Sequence, residues 1–213
     1  MSATRRNVLG AALAAPLLAQ FAGTASAADR KYGTVADGWV EIRWTEQVQA
    51  ELDRLGAVVE AEAPAVLVES AGDPAVRFPV RSGAGDPSLT QLPKAEGRGA
   101  LDGGVSVRTQ LGNVRLTELE GALHGALASG RCRVNGVTVE HSPALRCGAE
   151  DGKLTTDKAP VGMPLKVRLS EVPLYATSEL LDAYAATFGA SPFSDGTVLG
   201  YVTVAGVYTP PKP

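Results

Sequence analysis

Several residue types and motifs are scarce in this chain, and each scarcity excludes a class of function. Only two histidines occur, and neither belongs to an HExxH motif or a carboxylate cluster, so we expect no metal site and no cofactor. No basic block follows Arg30-Lys31, which argues against nucleic acid and anionic membrane surfaces as partners. The Gly-x-Ser-x-Gly motif is absent, so no ordinary serine-hydrolase nucleophile elbow is predicted.

Long apolar runs are also absent, apart from one near the N-terminus. Arg5 and Arg6 precede an apolar run from Val8 to Ala22, and Ala25-Ser26-Ala27 follows it. This order is typical of a secretory signal peptide, here of the twin-arginine type. We therefore predict a signal peptide over residues 1–27, a secreted protein, and one β-rich domain over residues 28–213.

The pattern along the remaining chain favours strands over long helices. Short segments such as Trp39–Trp44 alternate apolar and polar residues, and glycine and proline are frequent and scattered. Two helices are predicted, one from Thr45 to Gly56 and one from Thr177 to Gly189. Residues 82–98 are predicted as a surface loop. The fold class predicted is mainly β, an antiparallel β-sandwich or barrel-like domain with two short helices.

The two cysteines predict a disulfide that conflicts with a local turn signal. In an exported chain, a pair such as Cys132 and Cys147 favours a disulfide. Asn135-Gly136, however, is a strong signal for a two-residue hairpin, which would put Cys132 opposite Val139. Cys147 would then lie two strands away, beyond the reach of a disulfide. We favour the disulfide over the tight hairpin.

Candidate catalytic residues follow from the scarcity of histidine. An acyl hydrolase with a neutral imidazole base must use His124, within an alternating strand, or His141, at a strand end. Three serines are candidate nucleophiles, and one aspartate in a Ser-Asp-Gly turn is a candidate acid partner: Ser106, Ser129, Ser142 and Asp195.

Five stretches resemble the small secreted cholesterol esterases of actinomycetes, which also lack the Gly-x-Ser-x-Gly elbow. They are Asp37–Trp44, Val76–Val80, Cys132–Gly136, Pro164–Leu169 and Val198–Val204. None contains a catalytic motif, so the resemblance assigns no active residue. It implies hydrolysis of steryl esters and other lipid esters, with transient contact at a lipid interface and a role in lipid and steroid metabolism.

A second, remote resemblance is to the Htaa domain of actinobacterial haem-uptake proteins. Gly103–Gln110 resembles the family's Gly-x-Val-x-Phe-x-Gly-His block, and Tyr201–Val204 resembles its C-terminal Pro-Val-Thr-Val. Gln110 stands where the family has histidine, and the tyrosine of its first helix falls near Asp53. Axial haem ligation is therefore not expected here.

Two function hypotheses stay open at this point. The first is a secreted hydrolase of cholesterol esters and other lipid esters. The second is a non-catalytic extracellular module that binds a lipid, a sterol or a porphyrin in an apolar cleft, with the aromatic residues around the second helix, such as Tyr184 and Phe193, at its rim. The sequence does not determine the oligomeric state.

Overall fold

The computed structural model describes residues 32–86, 94, 96–110, 112–124, 127–160, 162–188 and 190–211. The predicted signal peptide, residues 1–27, lies outside the described residues. None of the described helices is long and apolar enough to cross a membrane.

Strands account for most of the described chain. The strands are β1 Gly33–Trp44, β2 Val58–Glu62, β3 Val66–Ser70, β4 Asp73–Asp86, β5 Glu96–Leu101, β6 Gly104–Thr109, β7 Gly112–His124, β8 Leu127–Val134, β9 Val137–Cys147, β10 Lys153–Thr156, β11 Leu165–Ala176 and β12 Val198–Thr209. The helices are α1 Glu46–Arg54, α2 Ser178–Phe188 and a 3₁₀ turn at Ala149–Asp151.

Eight antiparallel strands close into a barrel. They follow one another in the order β7-β5-β4-β1-β12-β11-β9-β8, and the pairing of β7 with β8 closes the ring. The other four strands branch from the ring: β6 and β2 extend from β7, β3 pairs with β4, and β10 pairs with β11. The predicted mainly β fold with two short helices is therefore confirmed, in its barrel form. Closure removes the sheet edges from the ring, and eight strands leave room inside for side chains or one small ligand.

Both helices begin at the same end of the barrel. Trp44, the last residue of β1, and Leu174, near the end of β11, both pair with Gly200. The Thr45 hydroxyl caps α1 by accepting the Val48 N–H. We call this the helix end. The opposite end, where Gly33 pairs with Gly85 and Tyr208 pairs with both Val35 and Leu165, is called the open end.

The core fills the middle of the barrel and its helix end. Val40, Phe78 and Val202 are fully buried at mid-barrel. At the helix end, Tyr184 of α2 packs edge-on against Phe193, with ring centroids 5.8 Å apart. The aromatics expected to rim a cleft around the second helix thus lie in the core.

A β-bulge changes which residues of β1 face inward. Asp37 has a left-handed φ of 48°, and the register between β1 and β12 shifts between Ala36 and Trp39. The bulge inserts an extra residue, so Val35 and Val40 both line the barrel interior although they are five positions apart.

Candidate functional site

The open end of the barrel contains an apolar cavity of about 190 Å³. Aliphatic side chains from six strands form most of its wall: Val35, Val40, Val80, Leu123, Leu154, Val167, Leu169 and Val204. Val40 belongs to the buried mid-barrel layer, which separates the cavity from the helix end. The site is therefore an apolar chamber that opens away from the helices.

Glycines form part of the wall of this chamber and add no side chains to its interior. Gly83, Gly85, Gly97 and Gly206 all line the cavity. Gly85 pairs with Gly33 on β1 and with Gly97 on β5. Gly97 in turn pairs with Leu123 on β7. A second row joins Val35 of β1 to Gly83, Gly99, Gly121 and Gly130 on four successive strands. Cross-strand partners face the same side of a sheet, so these rows remove side chains from one region of the barrel interior.

Tyr208 is the aromatic residue in the described lining of the cavity. A Cβ on Gly33 would lie 2.5 Å from the Tyr208 ring, so a larger residue at position 33 would displace the ring. Burial, followed by the nearby Asp86 carboxylate, raises the pKa of the Tyr208 phenol. Tyr208 therefore places an uncharged hydroxyl beside the apolar chamber at neutral pH.

Charged groups surround the open end. Asp86 pairs with Glu96 across β4 and β5, and both residues contribute to the lining together with Arg98. The Tyr32 hydroxyl donates a hydrogen bond of 2.7 Å to Glu96 Oε2. The Arg98 guanidinium lies 5.9 Å from the centre of the Tyr32 ring. Asp86, Glu96 and Arg98 alternate with Gly85 and Gly97 along β4 and β5, so their side chains belong to the outer face of the barrel. The chamber itself is therefore lined by apolar groups.

The structure separates the first predicted nucleophile from the first predicted base. Ser106 is buried on β6 and pairs with Arg115 of β7. His124 ends β7 nine residues further on, which corresponds to about 30 Å along a strand. A proton cannot pass directly between these two side chains, so Ser106 and His124 form no catalytic pair.

Ser129 lies closer to His124 but does not engage it. Ser129 pairs with Ala122, two residues before His124, which puts the two on one face at a diagonal position. Among the described hydrogen bonds none joins them, and His124 Nδ1 instead lies 3.5 Å from Glu96 Oε1. The His124 side chain is 87% exposed. An imidazole in open solvent provides no water-excluded site where an acyl transition state would be stabilised.

The remaining candidates fall into two groups, one on β8 and β9 and one at the helix end. His141 is on β9 opposite Gly130, and Ser142 follows it on the same strand. Asp195 is exposed in the turn before β12, at the helix end. Gly130, the partner of His141, is the neighbour of Ser129, so the backbones of Ser129, His141 and Ser142 lie close together, whereas Asp195 lies outside this group, in the turn before β12.

The tight hairpin forms, and the predicted disulfide does not. Asn135 and Gly136 have left-handed φ values of 49° and 85°, as a type I′ turn requires. Cys132 pairs with Val139, whereas Cys147 pairs with Leu174 at the other end of β9. About six residues of strand, roughly 20 Å, separate the two positions, and a disulfide needs Cα atoms within about 7 Å. The described strands contain no bond between these sulfurs, and burial raises the pKa of the Cys132 thiol to about 11 and that of Cys147 to about 12.

Sequence reasoning missed the residues that make this chamber, although a signal was present. Gly83 and Gly85, and likewise Gly97 and Gly99, recur at a spacing of two, which puts each pair on one face of a strand. The loop predicted over residues 82–98 is wrong at both ends, because β4 continues to Asp86 and β5 begins at Glu96. In the described part of the chain, no three His, Cys, Asp or Glu side chains group as a metal site.

Comparisons with known proteins find structural likeness only. No family model and no curated protein sequence matches the chain. The C-terminal domain of HtaA from Corynebacterium glutamicum is similar with a TM-score of 0.46 and 12% identity, over 83% of this chain and 99% of that one. The haem-binding protein HtaB from the same organism has a TM-score of 0.34 and 9% identity, over 84% of this chain and 94% of that one.

These findings correct the hydrolase prediction. Both of these similar structures are Hta proteins, and one is named as a haem-binding protein. Neither the comparisons nor the placement of the catalytic candidates supports a steryl esterase, so that prediction and the lipid- and steroid-metabolism role that it implied are wrong. The chain shows a remote structural similarity to HtaA and HtaB.

Proposed function

We propose that this chain is a non-catalytic binding module that holds an apolar small molecule in the open end of its barrel. The observation that carries the proposal is the chamber of about 190 Å³, with aliphatic and glycine walls, at a barrel end that the helices do not cover. Burying apolar ligand surface in such a chamber contributes about 25 cal/mol per Å² before the losses of association. Secretion, the signal peptide and the single-domain organisation remain predictions.

Gly97 offers a direct test because a side chain can be added there without moving the backbone. A Cβ on Gly97 would lie 3.6 Å from the Ala84 carbonyl oxygen and 3.9 Å from the Gly85 Cα, which are ordinary contacts. Gly97 pairs with Leu123 and shares its face. We expect Gly97→Phe to place a ring in the chamber, to leave the thermal midpoint unchanged or higher, and to abolish ligand binding.

The matched control is Gly196→Phe. Gly196 is exposed in the turn before β12, and no heavy atom lies within 4 Å of a Cβ built there. Binding of octan-1-ol, cholesterol and hemin to the parent and both variants is measured by titration calorimetry, with hemin included because HtaB is named as a haem-binding protein. The proposal requires at least one ligand to bind the parent and Gly196→Phe but not Gly97→Phe. Absence of binding by all three ligands, or equal binding by both variants, would refute it.

A further inference from the structure

A groove lies on the outer face of the barrel, where β1, β12, β11 and β10 run side by side. One cross-strand row crosses this groove from β1 to β10: Trp39, Ala205, Arg168 and Thr155. The next row joins Val207 to Lys166. Val204 and Leu169 alternate with these residues along β12 and β11, and they line the chamber. The groove and the chamber therefore lie on opposite faces of the same two strands.

Closer to the helix end, the charges on this outer face are balanced within the protein. Arg77 Nε and Nη2 donate hydrogen bonds of 3.0 Å and 2.6 Å to Glu41 Oε2. Arg43 donates hydrogen bonds of 2.6 Å to Asp73 and 2.9 Å to Glu171. Both arginines therefore have carboxylates of the protein as their partners.

Arg168 resembles Arg77 in its contact with Trp39 but differs in its charge partners. The guanidinium carbons of Arg77 and Arg168 lie 4.5 Å and 5.4 Å from the centre of the Trp39 ring. Within the described ranges of the chain, neither Arg168 nor Lys166 has a carboxylate at ion-pair distance. Stacking on an indole holds a guanidinium in place and leaves its N–H edge open to a planar anion. Arg77 shows this arrangement, because it binds the Glu41 carboxylate while it contacts the same ring.

Two acidic side chains in the groove limit the charge of its ligand. Asp37 and Asp157 line the groove, and both are exposed. Asp37 belongs to the bulge of β1 beside Trp39, and the Asp157 N–H donates to the Lys166 carbonyl oxygen at 3.1 Å. One ligand carboxylate can thus meet the two cations, whereas a second carboxylate would meet an aspartate and be repelled. Hydroxyl groups, by contrast, donate hydrogen bonds to carboxylates.

We propose that this groove is a second ligand site, which binds a hydroxylated carboxylic acid with one negative charge, such as a sugar acid. Arg168 and Lys166 hold its carboxylate beside Trp39, and Asp37 and Asp157 accept hydrogen bonds from its hydroxyl groups. The site goes beyond the proposed function, because it uses the outer face of β11 and β12 and not the chamber.

Trp39 is itself the reporter for a first test. The sequence contains two tryptophans, and Trp44 is 7% exposed in the core, so Trp44→Phe leaves Trp39 as the single source of indole fluorescence. Glucuronate, titrated at constant ionic strength, should change this fluorescence in a saturable way. Glucose, which lacks the carboxylate, and hexanoate, which lacks the hydroxyl groups, should bind at least about tenfold more weakly.

Titration calorimetry on the parent gives the same comparison without the substitution of Trp44. Binding of glucose or hexanoate as tight as that of glucuronate would overturn the ligand class. Absence of glucuronate binding by the parent would overturn the site.

Arg168→Gln tests the cation that stacks on Trp39, and Arg146→Gln is its matched control. Arg146 is also exposed, and its guanidinium carbon lies 4.2 Å from the centre of the Tyr175 ring, outside the groove. Arg168→Gln should lower glucuronate affinity at least about tenfold. Arg146→Gln should change it less than about twofold, because solvent and salt screen a distant charge. An equal loss in the two variants would overturn the assignment of Arg168.

Glucarate, which carries a carboxylate at each end, tests the role of the aspartates. It should bind the parent more weakly than glucuronate does. Asp157→Asn should shift the ratio of glucarate to glucuronate affinity about fivefold in favour of glucarate. The control is Asp182→Asn, which removes an exposed charge on α2. Glucarate binding as tightly as glucuronate in the parent, or an equal shift in both variants, would overturn the single-charge assignment.

The groove and the chamber fail separately. Gly97→Phe fills the chamber, so this variant should bind glucuronate as the parent does. Loss of glucuronate binding in the folded Gly97→Phe variant would overturn the independence of the two sites. Absence of octan-1-ol, cholesterol and hemin binding, with glucuronate still bound, would refute the chamber and support the groove.

Discussion

At the residue scale, one polar cluster around the buried Glu51 carboxylate links the two helices. Both Arg54 and the Tyr184 hydroxyl donate hydrogen bonds to the Glu51 carboxylate, and Arg54 also reaches the Tyr184 oxygen at 3.3 Å. Hydrogen bonding from Arg54 lowers the pKa of the Glu51 carboxyl, against the effect of burial. Burial, and then the bond to Glu51, raise the pKa of the Tyr184 phenol to about 12. The two buried members, Glu51 and the Tyr184 hydroxyl, thus have hydrogen-bond partners, as buried polar groups require.

Tyr184→Phe tests this cluster through stability and its pH dependence. Loss of the hydroxyl leaves Glu51 with one donor fewer, so we expect the free energy of unfolding to fall by about 1–2 kcal/mol at neutral pH. A phenol whose pKa is higher in the folded state stabilises the fold fully below its ordinary pKa of 10.0, and that contribution is lost as the pH rises towards about 12. Urea unfolding between pH 8 and 12 should therefore show a shallower alkaline decline in the variant.

Tyr201→Phe is the control for that measurement. The Tyr201 ring lies 4.5 Å beneath the Arg43 guanidinium rather than in the helix cluster. If Tyr184→Phe declines between pH 10 and 12 as steeply as Tyr201→Phe and the parent, the cluster is not the source of the alkaline sensitivity.

At the element scale, the turns between strands differ in how much space they leave for a side chain at their glycine. Gly103, between β5 and β6, has a φ of 90°, and a Cβ there would lie 2.5 Å from the Ala65 backbone nitrogen. Gly72, between β3 and β4, has a φ of 89°, and its Cβ would meet nothing within 4 Å. The two glycines thus share a backbone conformation but not a close contact.

Alanine at these two positions separates conformational strain from overpacking. We expect Gly72→Ala to lower the free energy of unfolding by roughly 1 kcal/mol, from the left-handed conformation alone. Gly103→Ala should lower it by about 1–3 kcal/mol more, because the backbone at Ala65 must move. The difference in urea midpoints measures this, and equal midpoints for the two variants would show that the turn does not pack on Ala65 as described.

Local sequence signals such as caps and turn residues predict some elements correctly and others wrongly. The Thr45 cap and the Asn135-Gly136 turn act within a few residues, so the sequence contains the signals for α1 and for the β8–β9 hairpin. Preferring the disulfide to that hairpin is wrong, because the hairpin forms. The glycine-rich ends of β4 and β5 look like a loop by composition. They form strands because β1 and β7 pair with their backbones, and pairing between distant segments leaves no local signature.

At the scale of the whole molecule, closure through β7 and β8 divides the strands into two groups. Eight strands have a partner on each side within the ring, whereas β6 extends from β7 and β2, β3 and β10 are attached by one pairing each. Amide groups in the ring exchange only when the barrel opens, and amide groups in the attached strands exchange through local fraying.

Hydrogen exchange measured by mass spectrometry tests this division. Peptides from β1, β8 and β12 should be the slowest, with protection close to the global free energy of unfolding, and peptides from β2, β3 and β10 should exchange markedly sooner. Comparison at two pH values checks that intrinsic exchange rates do not produce the pattern. Exchange of β8 as fast as that of β2 would contradict closure of the ring.

The sequence by itself determined the strand-rich class and the two short helices, because alternation, caps and turn residues act over a few positions. Composition alone also shows that the chain contains only two histidines and no basic block after Arg30-Lys31. Only the tertiary structure decided that Gly85 meets Gly97, that Cys147 lies far from Cys132, and that Ser106 lies far from His124. These outcomes depend on the register between strands distant in sequence, and register is set by which faces the closed barrel buries.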